Sequence, residues 1–364
     1  MTFEPKQKVG KGKFNDTGMV SKKILKEMGL DEEAAGNLSK IGNHGLTSST
    51  WSNYATAERM LRRCSRETGK NMELPLSQVQ TLRFVNWLIT ARKAKHGTIC
   101  SYLAGLRQLH IVKGMETKDI RSDLVNLILA GKRNQEVLEK KRGGSQQERL
   151  PVTMTVMRLI KAAIRDSDMP NPRKLAMWAI CCLAFNGAFR IHELLCRQER
   201  EFDQAHTLLK KDIKIVWDKE AKKEVIVVLV KWPKEDKKGA GVEVEVYETG
   251  SEVCPVKALK KCWACQKEGG GENQPAFRQE NGMAWTGRRF NEELKKLLQP
   301  HLDYKRGKIT AHSFRSGITS MLGMAGYSDS ELKAVGRWSS RAFEHYVKLP
   351  RSRRREMAKE IAKM

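Results

Sequence analysis

From Trp51 onward, apolar residues recur every three or four positions, the period of helices that bury one stripe. Trp51, Tyr54, Leu61 and Cys64 share one face, and Val79, Leu82, Val85, Leu88 and Ile89 a second. Ile99, Leu103, Leu106 and Leu109 make a third stripe; Ile120, Leu124, Leu127 and Ile128 make a fourth. Ser77 with Gln80 has the form of a capping box, which fixes the start of the second helix. Four short helices between residues 50 and 133 predict a compact, all-helical first domain. Residues 1–45 are polar, rich in Gly and Lys and weakly periodic, the pattern of a mostly flexible basic arm. Residues 132–149 are charged and almost empty of apolar side chains, which predicts a linker.

Pro151 opens a second domain. Helices are predicted over 153–166 and 173–186, then strands at Ile213–Trp217, Glu224–Val230 and Val242–Tyr247, where β-branched residues cluster. Residues 231–239 form the turn between the last two strands. Beyond Cys254-Pro255 the pattern is helical to the end, broken at Pro300 and near Gly307, Gly326 and Gly336. Ser328 and Glu331 suggest another capping box. The expected fold is mainly α with a small antiparallel β-sheet. Its parts are an arm (1–45), a helical domain (46–133), a linker (134–150) and an α+β domain (151–364).

Composition adds a partner class. Over 364 residues, 68 Lys and Arg stand against 42 Asp and Glu, a formal charge of +26. Such an excess points to a polyanion, because each cation near a phosphate releases a condensed counterion. Charge alone leaves DNA, RNA and anionic membrane open. The longest apolar stretch, Ala176 to Phe189, is shorter than the roughly 20 residues of a membrane span. The N-terminus lacks the apolar core of a secretory signal. Eight cysteines, two of them adjacent at Cys181 and Cys182, do not resemble a disulfide framework, which suggests a reducing, intracellular setting.

Four segments of the second domain carry candidate chemistry. Arg190 closes an apolar helix, and a buried guanidinium needs an anion; Glu193 three residues on supplies a structural ion pair, or a ligand does. His312 and Arg315 are three apart and share a helical face, where an imidazole and a guanidinium suit a phosphate as well as they suit a surface pair. Trp338 and Tyr346 fall near the C-terminal helix, where aromatic residues are ordinarily packing. Lys234 lies in the lysine-rich turn between strands.

In this order, Arg190 with Glu193, Lys234, His312 with Arg315, Trp338 and Tyr346, the chain resembles the tyrosine recombinase and integrase family. That family presents Arg-x-x-Glu, a hairpin Lys, His-x-x-Arg, a His or Trp, and a Tyr nucleophile. The resemblance spans roughly residues 50–360 and makes the first domain similar to the family's core-binding domain, the second to its catalytic domain. Trp338 in Gly-Arg-Trp-Ser-Ser and the run His-Ser-Phe-Arg-Ser-Gly look most like eukaryotic mobile-element recombinases of the Crypton and DIRS types. The interval from Trp338 to Tyr346 is a residue shorter than in phage-type members. Lys231 is the alternative to Lys234 as the hairpin lysine.

The resemblance implies strand cleavage by Tyr346 through a 3′-phosphotyrosyl bond. Arg190 and Arg315 would bind the phosphate, His312 act as base and Lys234 as acid. Trp338 would donate its indole N–H, and Glu193 would support the cluster. It implies no metal and no other cofactor. Cys262-x-x-Cys265 with Cys254 invites a zinc site, but no fourth ligand follows at finger-like spacing. The implied partners are double-stranded DNA and three further copies of the chain, a tetramer on two sites, without a membrane. The location would be nuclear for a eukaryotic mobile element and cytoplasmic otherwise. A type IB topoisomerase and a non-enzymatic DNA-binding protein on the same fold are the rival expectations.

Overall fold

The computed structural model describes residues 6–7, 20–45, 48–141, 148–232, 240–266, 271–302, 307–338 and 344. The chain folds as two compact units, one of residues 11–146 and one of residues 1–10 with 147–364.

The first unit is helical: α1 (Lys22–Glu27), α2 (Glu32–Asn43), α3 (Ser48–Thr68), α4 (Gln78–Thr90), α5 (His96–Val112) and α6 (Asp123–Lys141). Its core gathers Leu61, Cys64, Phe84, Leu88, Ile99, Leu103, Leu106, Leu109, Ile120, Val125 and Leu129. The α5 stripe is fully buried, and each such Ile or Leu contributes roughly 1.5–3 kcal/mol of transfer free energy. Ser77 caps α4 in a reciprocal box with Gln80, as the sequence predicts. One buried polar group stands inside this core. His110 Nε2 accepts the Leu76 N–H at 2.9 Å, which leaves Nδ1 to donate to the Leu106 carbonyl at 2.8 Å. The imidazole is therefore neutral.

Four expectations are corrected here. The arm contains two helices: Asp31 caps α2 through the Ala34 N–H at 2.7 Å, and Ser39 Oγ donates to the Val20 carbonyl at 2.6 Å. On α4 the buried face is Thr81, Phe84, Val85, Trp87 and Leu88, while Val79 is exposed; two aromatic rings bury more area than a Val and rotate the helix accordingly. On α6 the buried residues are Val125 and Leu129, and Leu124, Leu127 and Ile128 stay in solvent. This helix also runs on through 134–141, into the segment expected as linker. Glu136 holds it there, accepting the His96 N–H at 2.7 Å.

The second unit is built around α8 (Asn171–Asn186), whose residues Ala176–Phe185 are buried almost without exception. A helix apolar on every side belongs in the middle of a core. Against it pack α7 (Met154–Asp166), α10 (Pro255–Cys265) and α12 (Ala311–Met324). The remaining helices are α9 (Ile191–Leu194), α11 (Gly287–Leu298) and α13 (Asp329–Gly336), the last capped by the Ser328–Glu331 box. Two-residue parallel pairs join β1 (Lys6–Gln7) to β3 (Glu201–Phe202), and β2 (Glu148–Arg149) to β7 (Gly307–Lys308).

The antiparallel sheet runs β4 (Ile213–Asp218), β5 (Lys223–Val230), β6 (Val242–Tyr247), with β5 central. Ile213 pairs Val228 and Ile226 pairs Val246, so the period-two pattern sends one face into the core. The predicted strands and the helices at 153–166 and 173–186 are all present, within a few residues. The fold is mainly α with a small antiparallel sheet. Between α10 and α11, where a helical pattern was expected, residues 271–286 form an irregular segment with short bridges such as Arg278 to Ala284. Among the described residues no helix is long and apolar enough to cross a membrane.

Candidate active site

The site grows from the end of α8. The helix stops at Gly187, Ala188 takes a left-handed φ of 47°, and the chain turns through Phe189 and Arg190 into α9. The Gly187 and Ala188 carbonyls lie at the negative end of the helix, which favours cations. Two arginines answer. Arg315 Nη1 on α12 donates to the Ala188 carbonyl at 2.7 Å. Arg337, just past α13, donates from Nη1 to the Gly187 carbonyl at 2.9 Å and from Nη2 to the Ala188 carbonyl at 3.3 Å.

Glu193 ties the turn to α9. Its Oε1 accepts Arg190 Nη1 at 2.9 Å, and its Oε2 accepts the Arg190 backbone N–H and Arg337 Nη2, both at 2.8 Å. Burial pushes this carboxyl up, but the Arg337 charge and the Arg190 hydrogen bonds outweigh it and hold the pKa below its ordinary value. The ion pair considered from the sequence, Arg190 with Glu193, is present, and a second guanidinium shares the same carboxylate.

Arg315 is 1% exposed. Besides Ala188 it donates through Nη2 to the Gly336 carbonyl, and the Trp338 ring lies over its guanidinium at 4.5 Å. Gly336 makes room for that ring: a Cβ there would fall 1.7 Å from the indole. Arg190, Arg315, Trp338 and Glu193 thus come together around one turn. Another close approach places α12: a Cβ at Gly317 would sit 1.9 Å from the Val152 carbonyl oxygen, and the Val152 N–H bonds the Ser313 carbonyl at 2.9 Å.

His312 lies on the same helix, one turn before Arg315. Burial, then the charges of Arg149, Arg315 and Arg190, lower its pKa to about 4. It is neutral at pH 7 and able to accept a proton. It borders a cleft of about 700 Å³, whose basic side chains Arg149, Lys295 and Lys308 come from β2, α11 and β7. Lys231, the alternative hairpin lysine, is committed elsewhere. Its ammonium contacts Asp212 Oδ2 at 2.6 Å and the Gln204 and Thr207 carbonyls at 3.0 and 3.3 Å. Lys234 and Tyr346 lie outside the described residues.

Arg337 and Arg149 had no role assigned from sequence. Arg337 carried a signal: it follows Gly336 where a helix was expected to break. Arg149 carried none, being one cation in a charged run. Cys262 is buried, its thiol pushed up to about 12 by burial, whereas Cys265 is exposed. Among the described residues no three His, Cys, Asp or Glu side chains are grouped to hold a metal ion.

No protein-family model and no curated protein matches the chain. Solved structures do. The XerH site-specific recombinase, in a post-cleavage complex with a palindromic difH substrate, has 12% identity and a TM-score of 0.57, covering 95% of this chain and 90% of that one. A lambda integrase dimer bound to a COC′ core site has 17% identity and a TM-score of 0.52, covering 85% and 74%. The Tn1549 transposon integrase with transposon right end DNA has 13% identity and a TM-score of 0.53, covering 94% and 99%. The chain shares the fold of these tyrosine recombinases and integrases.

Proposed function

We propose that this protein is a site-specific DNA recombinase of the tyrosine type, cutting and rejoining strands through a phosphotyrosyl intermediate. The observation that carries the proposal is the convergence of Arg190, Arg315 and Trp338 on the turn after α8, beside a neutral His312. That is a partly dehydrated cluster of guanidiniums next to a proton acceptor, which suits a phosphodiester passing through a pentacovalent state.

In the proposed reaction Tyr346 Oη attacks the scissile phosphorus while its proton passes to His312. Arg190 and Arg315 stabilise the charge that builds on the non-bridging oxygens, and the Trp338 indole N–H donates to one of them. The bond from phosphorus to the 5′-oxygen breaks, and Lys234 protonates the leaving oxygen. A 3′-phosphotyrosyl ester and a 5′-hydroxyl result. Rejoining is the reverse attack, by the 5′-hydroxyl of another strand, and conserves the bond energy without a nucleotide cofactor. Lys231 holds Asp212 and two carbonyls, which favours Lys234 as the acid.

The partner is double-stranded DNA, consistent with the +26 charge. Four protomers on two DNA sites, bridged by the tail of residues 352–364, make the recombining assembly. Its residue pattern suits integration or excision of a mobile element, in the nucleus if the host is eukaryotic.

Covalent trapping tests the proposal. The protein is incubated in EDTA with nicked duplexes from a randomised pool, denatured, and compared with Tyr346→Phe. A DNA-linked band that persists in EDTA and vanishes in the variant is expected. Tight DNA binding with no adduct, on the pool and on native flanking DNA, would leave a binding protein instead. Recombination by a chain lacking residues 352–364 would remove the tail from the assembly.

A further inference from the structure

Arg337 sits where an arginine is out of place. Its φ of 49° lies in the left-handed region at the end of α13, a position that glycine fills without strain and a branched or long side chain does not. Its guanidinium nevertheless makes contacts that all fall on one distant segment. It bonds the Gly187 and Ala188 carbonyls and Glu193, and its guanidinium lies 5.0 Å from the centre of the Phe189 ring. A strained backbone held by so many contacts is the mark of a functional constraint.

The charge balance shows what that constraint does. Glu193 accepts both Arg190 and Arg337, and a carboxylate held by Arg190 alone would offset more of its charge. Arg337 takes Oε2 at 2.8 Å, so that one negative charge is divided between two guanidiniums. Sharing leaves less of that negative charge on Arg190 than an exclusive pair would, which favours an incoming anion. The same contacts anchor the residue directly before Trp338, whose ring covers Arg315.

We propose that Arg337 is a positioning residue that, by sharing Glu193, keeps Arg190 electrostatically available to a phosphate. This rests on the recombinase reading for its reaction, but its effect on phosphate binding does not. Arg337 touches no reacting atom. It acts through Glu193 and Arg190.

A charge-coupled double-variant cycle tests it, using the full chain. Arg337→Met removes the charge and keeps an apolar stem over Phe189; Glu193→Gln removes the carboxylate charge. Three quantities are read: single-turnover adduct formation on saturating nicked duplex, duplex affinity, and affinity for inorganic phosphate followed by the His312 ring signals. Arg337→Met is expected to slow adduct formation by about 100-fold and weaken phosphate binding by about tenfold, with duplex affinity within about threefold of the parent. Adding Glu193→Gln is expected to restore about tenfold of the rate and most of the phosphate affinity. Arg337→Lys, which retains a cation but not the fork, should lose less than Arg337→Met and covers the case that the methionine variant fails to fold.

A purely structural role would lower the melting temperature and give no rescue in the double variant. That outcome, or equal phosphate affinity throughout, overturns the proposal. A parent protein that forms no adduct while the phosphate pattern holds would defeat the recombinase reading and leave the role of Arg337 standing.

Discussion

Arg315 Nη1 donates to the carbonyl of Ala188 across 2.7 Å, joining α12 to the turn at the end of α8. With Nη2 on the Gly336 carbonyl, this one side chain satisfies backbone groups from two segments. Arg315→Ala is expected to destabilise the protein by roughly 3–5 kcal/mol, since buried partners lose a charged donor. Arg315→Lys should fall between, one ammonium being a poor replacement for a planar fork. Urea unfolding measures both. An alanine variant as stable as the parent would mean that Arg315 carries no structural load.

The low pKa of His312 predicts a neutral imidazole throughout the physiological range. Its ring signals should titrate with a midpoint near 4, and Arg149→Ala should move that midpoint upward by removing the largest charge acting on it. Because the base form is lost only as pH falls toward that midpoint, adduct formation by the free enzyme should show no acid limb from His312 above pH 6.5. A measured midpoint at or above 6.5 would contradict the burial described for this ring.

Lys231 and Lys234 should separate cleanly. Lys231→Ala removes the partner of buried Asp212 and is expected to lower stability by about 2–4 kcal/mol. Under the proposed reaction, Lys234→Ala should slow cleavage. A leaving group that needs no protonation, such as a 5′-thiol, should restore its rate. Rescue of Lys231→Ala instead would reverse the assignment.

His110 ties the acid sensitivity of the helical unit to one ring. Burial first, with the Lys113 charge adding, lowers its pKa below the ordinary 6.5. The unfolded chain therefore takes up the proton first, so stability present above 6.5 is lost as pH falls below it. His110→Ala should start about 2–3 kcal/mol less stable, two buried backbone groups losing their partners. It should also show a shallower acid slope than the parent, which calorimetry between pH 7 and 5 would detect.

Much of this architecture was legible because burial was periodic. The α5 stripe keeps the helical repeat and the strands a repeat of two, and the capping residues Ser77 and Ser328 mark helix starts by local hydrogen bonding. The exposed Leu124 and Leu127 misled for the same reason: periodicity shows that residues share a face, not which face finds a partner. The two helices in the arm depend on Asp31, Ser39 and Asn43, short polar side chains with no apolar stripe to announce them. At the site, Arg190, His312 and Arg315 stood out by type and spacing. Arg337 was marked only by following the expected break at Gly336; its role was not legible, because its partners lie 144 to 150 residues away and only folding brings them together.

That separation has a consequence for how the protein is made. The Ala188 carbonyl waits 127 residues for Arg315 and 149 for Arg337. At a synthesis rate of about 5–20 residues per second, the turn is made roughly 6–25 seconds before the first of these arginines. Helix α8 can bury itself early, whereas the turn at its end gains these partners only after both arginines have been made.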